Sequence, residues 1–198
     1  MQKSDLLNFL LNENNGILKT SDVIQAGISK PCFMDYVKNS GLEKVAHGVY
    51  MSHDAWSDEM YLLQTRFSST VFSHESALYL LDLAEREPLQ FTVTAKAGYN
   101  YTNLSKEGIK VYTIKRELFE TGITTLQSPT GRALRAYNAE RTICDIIRSR
   151  RYVEIQDFQS ALKTYARRKE KNLPLLLRYA KEFRVEKILR QYMEVLIL

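Results

Sequence analysis

The stretch SKPCFMDYVKNSG, residues 29–41, decides the predicted fold of the N-terminal part of the chain. Ser29 is a residue type that often stands at a helix N-cap, and Pro31 fits the first helical turn, where its missing N–H does no harm. Gly41 fits the position just past a helix end, because glycine adopts a positive φ at little cost. The stretch therefore predicts a helix that begins after Ser29 and ends before Gly41.

A hairpin is predicted directly after this helix. LEKVA (42–46) and VYMS (49–52) have the composition of short strands, and His47 and Gly48 between them can form a tight turn. A helix followed by a two-stranded hairpin is the order of a recognition helix and its wing.

The residues before position 29 complete the module. Apolar residues at helical spacing predict a first helix over 3–12, GILKT (16–20) has the pattern of a short extended piece, and SDVIQAG (21–27) that of a second helix. The order helix, strand, helix, turn, helix, hairpin is that of a winged helix-turn-helix. We therefore predict such a domain over residues 1–53.

The rest of the chain is predicted to form a second domain with helices leading into it. Residues 54–88 are expected to be connecting helices that pack with the second domain, which covers residues 89–198. The first connecting helix is expected to be capped by Asp54 and to bury Trp56, and a later one to be capped by Ser73.

A small sheet and then helices are predicted within the second domain. Strand patterns occur at 89–95, 108–114 and 132–138, with 123–126 as a further candidate, and from Ala139 the apolar spacing is helical to the end. The predicted fold class is α+β.

Charge is unevenly distributed along the 198 residues. The net charge is −1 over residues 1–56, −3 over 57–104 and +9 over 105–198, so a polyanionic partner would be expected to meet the second half of the chain.

No apolar run has the length of a signal peptide or a membrane span, and Cys32 and Cys144 have no metal-ligand spacing. A cytoplasmic protein with reduced thiols is expected.

A winged helix reads double-stranded DNA with its third helix, which lies in the major groove. Phe33, Tyr36 and Val37 share the side of this helix that is predicted to pack. The residues predicted to contact DNA are Ser29, Lys30, Lys38, Asn39, Lys44 and His47. Because the domain has a net charge of −1, a structural or protein-binding winged helix is the alternative.

Motifs for catalysis are absent from the sequence. The three histidines have no paired metal-ligand spacing, and no GxGxxG, GxxxxGK[ST] or GxSxG pattern occurs. His74 and Glu75 together could suggest a general base, but the start of a capped helix explains SHES more simply. We expect no enzymatic activity, no metal and no cofactor.

The segment NAERTICDIIRSRR, residues 138–151, predicts an amphipathic helix capped by Asn138. The face predicted to be buried carries Ile143, Ile146 and Ile147. The face predicted to lie in water carries Arg141, Asp145 and Arg148, with Asp145 bridging the two arginines. Cys144 flanks the apolar stripe, which favours burial over reactivity.

The sequence resembles the AbiEi-type antitoxins of bacterial abortive-infection systems over most of its length. The resemblance rests on KVAHGVYMS (44–52), FSHESALYLLDL (72–83), FTVTA (91–95) and, most specifically, YNAERTICDIIR (137–148) before a helical tail. It implies an N-terminal winged helix that binds inverted repeats upstream of its own operon. It also implies a C-terminal domain that neutralises a nucleotidyltransferase-like toxin, without necessarily forming a stable complex with it.

The charge distribution leads to a separate hypothesis about DNA contact. A winged helix of net −1 neutralises few phosphates alone, so basic residues of the C-terminal part are expected to contact flanking phosphates. The candidates are Arg148, Arg150, Arg151, Arg167, Arg168, Lys169 and Lys171.

Dimerisation or cooperative binding is expected on an inverted repeat, because the symmetry of the site mirrors that of the bound protein. The alternative function is a protein-interaction or RNA-binding module whose basic C-terminal domain binds the toxin or its nucleic-acid substrate.

Overall fold

The computed structural model describes residues 3–196, apart from the side chain of Val195. It divides the chain into two compact units, of which the first ends at Arg66 and the second begins at Phe67. Each unit combines helices with a small β-sheet. The predicted α+β class is therefore confirmed.

The first unit has the element order predicted for a winged helix-turn-helix. Its elements are α1 (Lys3–Glu13), β1 (Ile17–Lys19), α2 (Thr20–Gln25), α3 (Lys30–Asn39), β2 (Glu43–Ala46), β3 (Val49–Met51) and α4 (Glu59–Arg66). β3 lies between β1 and β2 in an antiparallel sheet. Gly48 turns the chain between β2 and β3 with a φ of +70°, a conformation that glycine adopts readily.

The core of the first unit holds α3 against the sheet. Phe33 and Val37 are buried, and the Phe33 ring meets the Tyr50 ring of β3 edge-on, with centroids 5.3 Å apart. Tyr36 Oη donates a hydrogen bond to Asn8 Oδ1 at 2.6 Å, which ties α3 to α1. The packing side of α3 is therefore the one predicted.

The helix after the wing begins later than predicted. α4 starts at Glu59, and the backbone N–H of Tyr61 donates to Asp58 Oδ1 at 2.9 Å, so Asp58 rather than Asp54 is its capping residue. Trp56 lies before the helix and is 84% exposed, so the predicted burial of this ring was wrong. α4 belongs to the first unit, which therefore extends beyond the predicted domain boundary.

The second unit consists of a mixed sheet and a set of helices. Its elements are β4 (Val71–Phe72), α5 (His74–Leu80), β5 (Thr92–Lys96), α6 (Thr102–Lys106), β6 (Lys110–Ile114), α7 (Arg116–Phe119), β7 (Ile123–Gln127), β8 (Ala133–Tyr137), α8 (Ala139–Arg148), α9 (Ile155–Arg167), α10 (Leu173–Glu182) and α11 (Glu186–Leu196). The three predicted strands and the further candidate are all present. The short helices α6 and α7 have no counterpart among the predicted elements.

The sheet of the second unit has the order β6-β5-β4-β8-β7. Its middle strand, β4, has only two residues, and it pairs antiparallel with β5 and parallel with β8. The sequence prediction placed these residues among connecting helices, because two adjacent buried residues show no alternation. The second unit therefore includes residues well before position 89.

Side-chain caps organise the helices of the second unit. Asn138 Oδ1 accepts from Arg141 N at 2.9 Å at the start of α8, and Asn172 Oδ1 accepts from Leu175 N at 3.0 Å at the start of α10. Glu140 Oε1 accepts from Tyr165 Oη and from Asn172 N, both at 3.0 Å, and so ties α8 to α9 and α10.

Within residues 3–196 no helix combines the length and the apolar character needed to cross a membrane.

Candidate nucleic-acid interface

One side of α3 is exposed and carries most of the residues predicted to contact DNA. Lys30, Met34 and Lys38 recur at four-residue spacing along it, and Asn39 is also exposed. Ser29 stands at the N-cap with an extended backbone, but its side chain makes no cap hydrogen bond. Ser29 therefore occupies the predicted position while its hydroxyl is not used to start the helix.

The wing carries the two remaining predicted contacts. Lys44 of β2 lies opposite Tyr50 of β3, and both Lys44 and His47 have exposed side chains. The turn is anchored from below, since the Gly48 carbonyl accepts from Thr20 N at 2.8 Å and from Thr20 Oγ1 at 3.1 Å. His47 is thus presented by a turn that is tied to the first residue of α2.

Acidic residues share the surface of the first unit. Asp35 is exposed on α3, and Glu43 of β2 lies 3.4 Å from His53 Nε2. Residues 1–66 contain six Lys and Arg against eight Asp and Glu, a net charge of −2, whereas residues 67–198 contain twenty-two against fifteen, a net charge of +7. The basic face of α3 is therefore local, and the excess positive charge lies in the second unit.

The basic residues predicted to assist DNA binding divide into two groups. Five of them are exposed: Arg148, Arg150, Arg151, Arg167 and Lys169. Arg168 and Lys171 are half-buried and take part in local structure. Arg168 Nη2 donates to the Leu81 carbonyl, and Lys171 Nζ donates to the Arg168 carbonyl at 2.9 Å. The second group therefore has a positioning role that the sequence did not reveal.

The SHES segment forms a buried polar cluster rather than a simple helix cap. His74 has a φ of +47°, a left-handed conformation that is costly for a residue other than glycine. Its Nδ1 lies 3.0 Å from Ser73 Oγ and its Nε2 lies 3.1 Å from Ser149 Oγ. Ser73 Oγ also accepts from Thr94 Oγ1 at 2.8 Å, so Ser73 bonds to side chains instead of capping α5.

Aromatic stacking and an ion pair extend this cluster. The His74 ring stacks on the Tyr112 ring with centroids 3.5 Å apart and an interplanar angle of 10°. Lys110 Nζ donates to Glu75 Oε1 at 2.9 Å and to the Tyr152 carbonyl at 3.0 Å. The cluster thus joins α5, β6 and the segment after α8.

The hydrogen bonds of the cluster give His74 a positioning role. His74 is buried, and burial lowers the pKa of its imidazole well below 6.5, with nearby Lys110, Arg141 and Arg148 lowering it further. Its Nδ1 is held by a serine, whereas a catalytic base is usually oriented by a carboxylate. The neutral ring therefore links Ser73 to Ser149 across the unit.

The pH dependence of stability tests this description of His74. Because the folded pKa is below the unfolded value, the unfolded chain binds an extra proton at low pH, so stability is lost as the pH falls below about 6.5. We expect His74 to account for a fall of up to about 1.4 kcal/mol in the free energy of unfolding per pH unit. Chemical denaturation between about pH 5 and 7 measures this slope. His74→Gln should flatten it, His47→Gln in the exposed wing should not, and an unchanged slope in His74→Gln would contradict the description.

The charged side of α8 is buried, contrary to prediction. Arg141 is 0% exposed and Asp145 is 3% exposed, and Arg141 Nε donates to Asp145 Oδ2 at 2.9 Å. The guanidinium carbon lies 4.0 Å from the centroids of both the Tyr137 and the Phe183 ring. Of the three charged residues expected in water, only Arg148 is exposed. The pair is therefore part of the core of the second unit.

Two backbone carbonyls accept hydrogen bonds from Arg141. Its Nη1 donates to the Leu118 carbonyl at 2.9 Å and to the Thr121 carbonyl at 2.7 Å. Gly122 allows this close approach, since a Cβ at that position would lie 2.7 Å from Arg141 Cβ and its φ is +80°. The Arg141 guanidinium therefore ties α8 both to α7 and to the loop that follows α7.

Cys144 is buried on α8, as predicted. Burial raises the pKa of its thiol, and Asp145 raises it further, which keeps the group protonated. Among residues 3–196 no three His, Cys, Asp or Glu side chains are grouped so as to hold a metal ion.

Comparisons with known proteins bear on the fold. No protein-family model and no curated protein matches the chain. The chain is similar to the crystal structure of the RV2827C protein from Mycobacterium tuberculosis, with a TM-score of 0.57 and 14% sequence identity. The likeness covers 97% of this chain and 79% of that one. At this identity it shows a shared fold and carries no statement about activity.

Proposed function

We propose that the chain is a cytoplasmic antitoxin of an abortive-infection system that also represses its own operon by binding DNA. The observation that carries the proposal is the exposed side of α3, where Lys30, Lys38 and Asn39 lie on a helix held by a winged helix-turn-helix core. The sequence resemblance to AbiEi-type antitoxins supports the same function. In this proposal the chain acts without enzymatic activity of its own.

The residue types on α3 and the wing suit a DNA contact. Lysine neutralises backbone phosphates, and an asparagine side chain can bond to adenine in the major groove. The wing brings Lys44 and His47 as further contacts from a turn that is anchored on α2. Two bound copies on an inverted repeat would match the symmetry of such a site.

A gel-shift experiment tests the DNA-binding part of the proposal. The full chain is titrated against the duplex that precedes its own coding region, with a shuffled duplex of equal length as the control. We expect a shift of the promoter duplex at moderate salt and a weaker one of the control. Absence of any shift with folded protein would remove the repressor function.

The exposed basic residues of the second unit are proposed to add phosphate contacts. Each phosphate contact contributes about 0.9 to the slope of log affinity against log salt. Replacing Arg148, Arg151 and Arg167 with alanine should therefore make the slope shallower by up to about 2.7. Arg168 is left intact because it bonds to Leu81. A slope equal to that of the wild type would exclude these residues from the DNA contact.

The antitoxin part is tested by growth. We expect a nucleotidyltransferase gene next to the gene for this chain. Co-expression of the chain should restore growth to cells that express that enzyme. Growth arrest that the chain does not relieve would contradict it. Whether a stable complex forms is a separate question, because the resemblance implies neutralisation without one.

The net charges of the two units favour one alternative. The first unit has a net charge of −2 and the second +7, so a module that binds a toxin or its nucleic-acid substrate through the second unit fits the charge distribution. In that case the winged helix is a scaffold. Retention of an RNA duplex or of the toxin, together with failure to shift promoter DNA, would favour this alternative.

A further inference from the structure

A polar pocket lies in the second unit, at the ends of strands β5 and β6. Its volume is about 570 Å³, within the range of small-molecule sites. β5 and β6 are parallel and end at the pocket, and the antiparallel partner β4 begins there. The pocket is therefore formed by the segments that leave β5 and β6 and by the serines that precede β4.

Basic side chains from three elements converge on this pocket. They are Lys96 at the end of β5, Arg116 at the start of α7 and Arg135 of β8. Glu120 is the acidic residue among the lining side chains, so three cations and one carboxylate leave two positive charges. Sequence reasoning missed this set, because its members are far apart in the chain.

The Glu120 carboxylate lies beside two of these cations, Lys96 and Arg135. Its Oε1 lies 2.8 Å from Lys96 Nζ, and its Oε2 lies 3.9 Å from Arg135 Nη2. The hydrogen bond from Lys96 lowers the pKa of the Glu120 carboxyl, so this group is ionised at neutral pH. Its side chain is 62% exposed, and an exposed ion pair of this kind is weak. A ligand anion can therefore replace it.

The rest of the lining offers contacts suited to a small ligand. Gly98 turns the chain after β5 with a φ of +87°, and an Arg116 guanidinium nitrogen lies 3.9 Å from the position that a Cβ would take there. The turn is held by hydrogen bonds from Ala97 N to the Ile114 carbonyl at 2.7 Å and from Tyr99 N to the Lys96 carbonyl at 3.0 Å. Tyr99 adds a half-buried aromatic ring.

We propose that this pocket binds a phosphate monoester of nucleotide size, whose phosphate takes the place of Glu120 beside Lys96 and Arg135 and is also bound by Arg116. Guanidinium groups bind phosphate through paired, charge-assisted hydrogen bonds. A phosphate monoester carries about −1.5 to −2 charges at neutral pH, close to the two positive charges of the pocket. The ring of Tyr99 offers a stacking surface for a base. The site is independent of DNA binding by α3.

Isothermal titration calorimetry tests the site. The full chain is titrated in turn with adenosine 5′-monophosphate, inorganic phosphate and adenosine. Both phosphates should bind and adenosine should not. Arg116→Ala should weaken binding about tenfold or more, the loss expected for a charge-assisted hydrogen bond. Glu120→Gln should tighten binding by a few-fold, because it removes the competing carboxylate. Lys163→Ala, an exposed lysine on α9, is the matched control and should have no effect.

Several results would overturn the proposal. One is the absence of phosphate binding at millimolar concentration by both the folded wild type and Glu120→Gln. Others are equal binding of adenosine and its monophosphate, or affinities that neither Arg116→Ala nor Glu120→Gln changes. Competition by duplexes with and without a 5′-phosphate separates the two sources of the same chemistry. If the 5′-phosphorylated duplex competes with adenosine 5′-monophosphate and the unphosphorylated duplex does not, the ligand is the end of a nucleic acid. If neither duplex competes, the ligand is a free nucleotide.

Discussion

Replacing Asp145 with alanine is expected to lower the free energy of unfolding by about 3–5 kcal/mol, because it leaves the Arg141 guanidinium charged and unpaired in the core. Arg141 is fully buried between two aromatic rings, and its Nε bonds to Asp145 at 2.9 Å. Chemical denaturation followed by circular dichroism measures the loss.

The chain offers a matched control for this substitution. Arg190 and Glu186 form an ion pair of the same i, i+4 spacing on α11, but their side chains are 54% and 30% exposed. Glu186→Ala should therefore cost no more than about 0.5 kcal/mol. If Asp145→Ala does not fold, the double variant Arg141→Met/Asp145→Leu provides the test, since two apolar residues remove the buried charge and should restore folding. If Asp145→Ala lowers the free energy of unfolding by less than about 1 kcal/mol, the buried Arg141–Asp145 pair does not contribute to stability as described.

The second large effect concerns DNA. Replacing Lys30, Lys38 and Lys44 with alanine should reduce affinity for the promoter duplex about 100-fold near physiological salt, because three lost phosphate contacts lower the salt slope by about 2.7. All three side chains are exposed and none belongs to the core of the first unit, so the variant should fold. Fluorescence anisotropy with a labelled duplex measures both the affinity and the slope.

A control with the same change in net charge is available. Lys106, Lys163 and Lys187 are exposed and lie outside the residues proposed to contact DNA. Their triple alanine variant should keep most of the affinity, because charges that make no direct phosphate contact are screened in physiological salt. Equal losses in the two triple variants would indicate a dependence on net charge alone and would contradict recognition by α3 and the wing.

The first unit was largely predictable because its signals are local. Gly41 and Gly48 mark turns, and the packing residues of α3 recur at helical spacing. The exception is the start of α4, where Asp54 and Asp58 are equally good caps by residue type. Only the backbone N–H of Tyr61 donating to Asp58 distinguishes them.

The second unit was less predictable because its decisive contacts join distant residues. The pattern of α8 placed Arg141 and Asp145 opposite the isoleucines, and a helix in contact with solvent would expose that side. Instead α7 and the loop after it bond to Arg141 through the Leu118 and Thr121 carbonyls, which lie some twenty residues earlier in the chain. The same reason hid the partners of His74, one of which, Ser149, is 75 residues away.

A ratio of affinities tests whether the winged helix recognises a specific DNA sequence. The full chain is titrated by fluorescence anisotropy against its own promoter duplex and against a shuffled duplex, both at the same physiological salt. We expect the promoter duplex to bind more tightly by a factor of at least about 10³, the lower end for specific recognition, and Asn39→Ala to reduce this ratio. Equal affinities for the two duplexes, or no binding to either by folded protein, would contradict specific recognition.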